Sequence, residues 1–124
     1  MAKPAAQKYK YEHPFMTKDM ARTVLKIVLL KRIERGEIYS YALIKELNAS
    51  RFSMFLKKYS TDPKNDIYNT VKALEKSGYI KLDARIDGGK LKNYYKITAK
   101  GSNALKESKG LFMKSMRELV KILG

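Results

Sequence analysis

Four polar residues recur at steps of four, three and four along one stretch of this chain: Asn65, Asn69, Lys72 and Lys76. On a helix that spacing gathers them on one face. A side-chain amide offers a donor and an acceptor together, which matches an adenine edge, and an ammonium group meets guanine acceptors or phosphate oxygens. Tyr68 and Thr70 flank the row, and Ile67, Val71 and Leu74 form the opposite, apolar stripe. Any solvated amphipathic helix divides itself in this way, so the row acquires meaning only from what accompanies it.

A second set of cations follows within 20 residues. Ile80, Leu82, Ala84 and Ile86 alternate with Lys81, Asp83, Arg85 and Asp87, and Leu91, Asn93, Tyr95 and Ile97 alternate with Lys92, Tyr94 and Lys96. A period of two marks half-buried strands, and Asp87-Gly88-Gly89-Lys90 supplies residues that tolerate positive φ, so the two runs form a hairpin with its apolar face inward. Its outer face would carry Arg85, Lys92 and Lys96, with Lys90 at the tip, where phosphates or a minor groove can be met. Tyr95 is expected inside with Ile97. Tyr94 points out, where it would stack on a base in a single-stranded RNA mode, although that mode uses several aromatics on one sheet face.

The remaining chemistry is mostly excluded. The chain has no cysteine and one histidine, His13, which rules out thiolate metal sites, a Cys nucleophile and a His-based triad. No glycine-rich phosphate loop is present. The expectation is therefore a non-enzyme without metal or cofactor. Lys and Arg number 27 against 12 Asp and Glu, a formal charge of +15, which favours a polyanionic partner. The densest apolar stretch, Val24 to Ile33, is interrupted by Lys26, Lys31 and Arg32, so it falls short of the ~20 apolar residues of a spanning helix. Residues 1–16 lack a secretion-type apolar core, and a cytoplasmic, nucleoid-associated protein without membrane attachment is expected.

These groups need a frame. Residues 1–16, with two prolines, Tyr9 and Tyr11, read as a flexible basic arm. Thr17 with Asp19 starts a helix reaching about Arg35 before Gly36. Glu37 to Tyr39 is a short extended link, and Ser40 caps a second helix carrying Leu43, Ile44 and Leu47 as far as Asn48. Residues 49–61 fit a short helix or an ordered loop. Asp62-Pro63 starts the helix that bears Asn65 and Asn69, and Gly78 stops it. After the hairpin, Thr98 caps a last helix from Ala99 to Leu123, about 37 Å long. Its Leu105, Phe112, Met116, Leu119 and Leu123 fall on steps of seven, four, three and four, broken by Lys109, and predict a dimer interface.

The expected fold class is α+β, mostly α: a winged helix-turn-helix with a two-stranded β wing and a long C-terminal dimerisation helix. The expected organisation is an arm over 1–16, a DNA-binding domain over 17–98 and a dimerisation helix over 99–124. Asn65, Tyr68, Asn69, Lys72, Lys76, Arg85, Lys90 and Lys92 are the expected DNA-binding residues.

Between about Val24 and Leu123 the chain resembles the PadR family of winged-helix transcriptional regulators, with the MarR-like winged helices as a second likeness. The second helix of that family looks like Tyr41-Ala42-Leu43-Ile44-Lys45-Glu46-Leu47. The third looks like the run from Ile67-Tyr68 through Leu74-Glu75-Lys76-Ser77-Gly78, and the wing's close like Tyr94-Tyr95-Lys96-Ile97-Thr98-Ala99-Lys100-Gly101. Asp66 and Ser40 stand where the family carries glycine, and one helix follows the wing. The resemblance implies a homodimeric repressor of double-stranded DNA, and family members often respond to small aromatic or cationic effectors. Phe52, Met54, Phe55 and Tyr59 either line such an effector pocket or pack as core. Two other readings share the fold: an architectural nucleoid protein binding DNA with little sequence preference, and a winged helix turned toward another protein.

Overall fold

A computed structural model describes residues 18–124, whose elements run α1 (Lys18–Glu34), β1 (Ile38–Tyr39), α2 (Ser40–Ala49), α3 (Phe52–Tyr59), α4 (Pro63–Lys76), β2 (Ile80–Asp87), β3 (Lys90–Ile97) and α5 (Ala99–Leu123). The expected arm and the Thr17 cap lie outside the described residues.

One core joins every element. Leu25, Leu29, Leu30 and Ile33 of α1 meet Leu43 and Leu47 of α2, Leu56 of α3, and Ile67, Val71 and Leu74 of α4. Ile38, Ile80, Tyr95 and Leu105 close it from the strands and α5. Burying such a side chain contributes about 1.5–3 kcal/mol, so this cluster outweighs any surface interaction described below. The segment between 49 and 61, where helix and loop are both compatible with the sequence, is helical over Phe52–Tyr59. Leu56 points inward while the rings of Phe52, Phe55 and Tyr59 follow one another at centroid distances of 5.2 and 4.9 Å.

Local chemistry fixes both ends of α4. The Asp62 carboxylate accepts from the Asn65 backbone N–H at 3.2 Å, and Pro63 takes the first helical position, where no N–H is required. At the other end Gly78 turns left-handed at φ +83°, Tyr79 N–H reaches the Leu74 carbonyl at 3.0 Å, and Gly78 N–H reaches Glu75 at 2.9 Å. That pair of bonds is the Schellman stop, which satisfies two orphan carbonyls.

Two expectations need correction, and the extended link gains a pairing partner. Tyr39, not Ser40, holds the N-cap position of α2 and makes no side-chain cap bond; Ser40 is the first helical residue and its hydroxyl meets the Tyr95 phenol instead. The extended link is itself a strand: β1 pairs with β3 through Ile38–Tyr95 and Tyr39–Tyr94, making a three-stranded antiparallel sheet in the order β1-β3-β2. The hairpin's apolar face is covered only at its base. Ile80 and Tyr95 are buried, but Leu82, Ile86 and Leu91 are 40, 71 and 69% exposed, because the strands run on past the helices that would cover them. The turn is as expected, with Gly88 and Gly89 both at positive φ (61° and 77°) as a two-residue I′ connection demands.

Gly101, in the first turn of α5, has no room for a side chain. A Cβ there would stand 1.9 Å from the Tyr79 carbonyl oxygen and 2.9 Å from Ile97. Gly101→Ala is therefore expected to cost about 1–3 kcal/mol or more in urea unfolding, because backbone must shift to admit it. Gly110→Ala, on the same helix with nothing within 4 Å, should instead gain about 0.5–1 kcal/mol from helix propensity.

Candidate nucleic-acid interface

The sequence places the polar row of α4 opposite the core, and the folded chain keeps it there. Asn65, Asn69, Lys72 and Lys76 are all exposed, while Ile67, Thr70, Val71 and Leu74 are buried. Thr70 thus does not flank the exposed row. Its hydroxyl donates to the Asp66 carbonyl at 2.7 Å, one turn back in the helix. Asp66 is occupied too, since its carboxylate accepts from the Ser60 hydroxyl and ties the α3–α4 connection to the first turn of α4. Tyr68 is 42% exposed and its ring carries the Lys72 ammonium at 4.6 Å, which holds that cation over the α4 surface.

The sheet stands beside this helix, and its outer face is more ordered than a row of free lysines. Arg85 makes a two-pronged contact with Glu37, 3.0 and 2.8 Å, adds Asp83 at 2.9 Å, and lies 4.1 Å over the Tyr94 ring. Lys96 approaches Glu37 at 3.4 Å, and Lys92 sits 3.9 Å from Asp87 and 4.5 Å over the Tyr39 ring. Lys90, at the turn, is exposed. Tyr94 donates to the Asp87 carboxylate and leans on Tyr39 at 5.6 Å. Its ring is therefore covered by Arg85 and Tyr39, and this face offers no row of open aromatics for stacked bases.

The same contacts lower the pKa of Glu37 and raise those of Arg85 and Tyr94, and burial raises that of Tyr95. The Arg85 hydrogen bonds hold Glu37 below the usual glutamate range against the opposing effect of desolvation, and the charges of Arg85 and Lys96 add to the lowering. The hydrogen bond to Asp87 holds the Tyr94 phenol above its usual range. Burial raises Tyr95, helped by Tyr68 and Glu75 and opposed by the Ser40 hydroxyl.

Two features escaped sequence reasoning. On the side of α4 away from the sheet, Arg22 and Lys26 of α1 wall a polar cleft of about 350 Å³ with Asp66, Asn69, Thr70 and Ala73. Their spacing of four was visible in the sequence, but what lay opposite them was not. An apolar groove of about 490 Å³ also runs between α1, the α2–α3 region and α5, floored by Ile27, Val28, Leu47, Phe52, Leu105 and Phe112. Of the residues considered for an effector pocket, Phe52 lines this groove, Phe55 and Tyr59 line a narrow cleft against α1, and Met54 is 68% exposed.

The expected dimer seam divides in two. Leu105 is 3% exposed and packs in this chain's own core, so it is not available to a partner. Phe112, Met116, Leu119 and Leu123 are 43, 40, 44 and 77% exposed. No group of His, Cys, Asp and Glu suited to a metal occurs among the described residues, and no described helix is long and apolar enough to cross a membrane.

The family model described as the transcriptional regulator PadR-like family matches residues 29–107. No curated protein matches the sequence. Among solved structures, the fold is similar to that of a PadR-like transcriptional regulator from Bacillus cereus, at 25% identity and a TM-score of 0.68 over 85% of this chain and 96% of that one. It is also similar to a Streptococcus transcriptional regulator, at 21% identity and a TM-score of 0.69 over 83 and 95% of the chains. A PadR family transcription regulator from Clostridium difficile shares 22% identity at a TM-score of 0.64 over 81 and 98%.

The Glu37–Arg85 contact can be tested by titration. Because Glu37 is depressed in the folded chain, its contribution to stability is present above the unfolded-state pKa and is lost as pH falls through the lower folded value. Carbon-13 NMR should show the Glu37 carboxyl titrating below the other glutamates. In Arg85→Gln it should move up toward them.

Proposed function

The chain belongs to the PadR-like family of transcriptional regulators, and from that premise we propose that it binds double-stranded DNA sequence-specifically as a homodimer and represses transcription. In this reading α4 lies in the major groove and the hairpin approaches the flanking phosphates. The observation that carries it is the outward face of α4: two amides and two ammonium groups, all exposed, on a helix whose two ends are pinned by the Asp62 cap and the Gly78 turn. Asn65 and Asn69 supply base-edge readout, Lys72 and Lys76 supply guanine or phosphate contacts, and Tyr68 steers Lys72. On the wing, Lys90 at the turn is the nearest phosphate contact and Lys92 a second. Arg85 serves mainly to hold the wing to Glu37, and meets phosphate only by giving up that pair.

The dimer rests on α5. Beyond Leu105 every residue of this helix is exposed, including the apolar row Phe112, Met116, Leu119 and Leu123. A two-fold mate covering that row would also place two α4 helices on one duplex, about one helical turn apart. The architectural reading keeps one observation in its favour, the +15 charge, since phosphate contacts alone bind any sequence.

A salt titration on random duplex and on duplex enriched from a random pool separates the two. The proposed regulator keeps a preference of about 10³ or more for the enriched site, and an architectural protein does not. Asn69→Ala should cost about 1–3 kcal/mol on the enriched site and little on random duplex, whereas Lys72→Glu with Lys76→Glu should weaken both. If the paired lysine variant binds duplex as the parent does, the α4 face meets some other partner.

Leu119→Glu should give a monomer in sedimentation equilibrium with an unchanged circular dichroism spectrum. Leu105→Ala should leave assembly alone and lower domain stability by about 2–5 kcal/mol, the cost of a core cavity.

A further inference from the structure

The outward face of α4 has cations along both flanks, and the two flanks hold them differently. On the sheet side, Arg85, Lys92 and Lys96 each have a carboxylate within 4 Å, and of the described strand cations only Lys81 and Lys90, the latter at the turn, have none. On the α1 side, Lys18, Arg22 and Lys26 fall at steps of four, one stripe about 12 Å long at 1.5 Å per residue. All three are exposed, and among the described residues none is ion-paired. The cleft that Arg22 and Lys26 share with α4 contains one carboxylate, Asp66, which is held by the Ser60 hydroxyl.

The position of this stripe follows from α4 itself. Tyr68, which acts electrostatically on Tyr95 of the sheet, and Ala73, in the cleft with Arg22 and Lys26, lie on opposite sides of the line from Asn65 to Lys76. A helix with its side chains measures about 10–12 Å across and a major groove about 12 Å, so the two phosphate walls of an occupied groove run along the flanks of the helix. One wall passes the sheet, the other passes α1.

We propose that Arg22 and Lys26 of α1 bind the phosphate backbone on the side of the groove away from the wing, making α1 a third element of the DNA interface. The proposal rests on the reading of α4 as the groove helix. Among the described residues neither side chain has an internal partner to leave before meeting phosphate, whereas Arg85 has Glu37. Their contacts carry no sequence information.

The test compares three proteins on random and enriched duplex across a salt series. In Arg22→Gln/Lys26→Gln the slope of log Kobs against log salt should fall by about 3.6 for the proposed dimer, at ~0.9 for each of the four phosphates its two subunits no longer neutralise, and affinity for both duplexes should drop by the same factor. Lys26→Gln alone should show about half that change. Lys114→Gln/Lys121→Gln removes the same charge from the side of α5 opposite the Phe112–Leu123 row and should keep the parent slope. The proposal is overturned if the α1 double variant keeps the parent slope while its circular dichroism is native, or if both double variants lower the slope equally, which would make the effect one of net charge. Absence of duplex binding by the parent protein would instead remove the reading of α4, and this proposal with it, before any variant is compared.

Discussion

Everything that projects from the core leaves it at one joint, where Thr98 and Gly101 close on Gly78 and Tyr79. The Thr98 hydroxyl donates to the Gly78 carbonyl at 2.7 Å while accepting from the Gly101 N–H at 3.0 Å, and its own backbone N–H donates to the Tyr79 carbonyl at 3.1 Å. A hydroxyl can donate and accept at once, which is why one threonine can finish α4 and start α5 together. Lys100 adds an ammonium bond to the Ser77 carbonyl at 2.8 Å and lies 5.1 Å over the Tyr79 ring. The end of α4, both ends of the hairpin and the beginning of α5 are thereby fixed within a few residues of one another. Gly101 is the condition for it, since any side chain there would occupy the space of the Tyr79 carbonyl. The angle between α4, the wing and the C-terminal helix is therefore set by backbone chemistry, not by the slender sheet.

Charge is distributed on a different principle. The ion pairs of the sheet's outer face are exposed and add little to stability. Their effect is geometric: Glu37 precedes β1 and gathers Arg85 of β2 and Lys96 of β3, so all three strands are held by one carboxylate on the face opposite the apolar one. The excess of cations acts at longer range, drawing in any polyanion and fading with salt over about 8–10 Å. In the proposed DNA-binding reading, discrimination between sequences comes from α4, where amides rather than charges can distinguish one base edge from another.

What was legible in the sequence is what local rules determine. Asp62-Pro63, Gly78 and the Gly88-Gly89 turn each state a backbone geometry directly, and the period of two over 80–97 states which residues share a face. The same period says nothing about whether that face is covered, which is why Leu82, Ile86 and Leu91 are expected inside and stand outside. Residues 49–61 are ambiguous because Phe52, Met54, Phe55 and Leu56 crowd together without a clean period, and only packing against α1 and α2 chooses the helix. Pairings across the chain are invisible for a simpler reason. Glu37 and Arg85 are 48 residues apart, and nothing near Arg85 announces that its guanidinium is occupied. Leu105 belongs to a convincing periodic row, yet the first turns of α5 are still inside the domain, so the row begins as core and is surface at Phe112, about two turns later.

That change along α5 bears on what a partner must cover. Besides Phe112, Met116, Leu119 and Leu123, the exposed helix carries Met113 and Val120 at 51 and 67% exposure on the adjacent strip. Together they widen the apolar stripe beyond the narrow seam that two crossing helices bury. At its base the stripe runs into the groove floored by Ile27, Val28 and Phe52, since Phe112 and Met113 line both. An apolar stripe of this width is a surface that covering stabilises, since packing of an apolar face supplies most of a helix's stability in a protein. A mate that touched α5 alone would leave the groove and the Met113–Val120 strip wet. The proposed dimer satisfies the whole surface only if each subunit's α5 also lies against the body of the other, which would couple the spacing of the two α4 helices to the packing around α1.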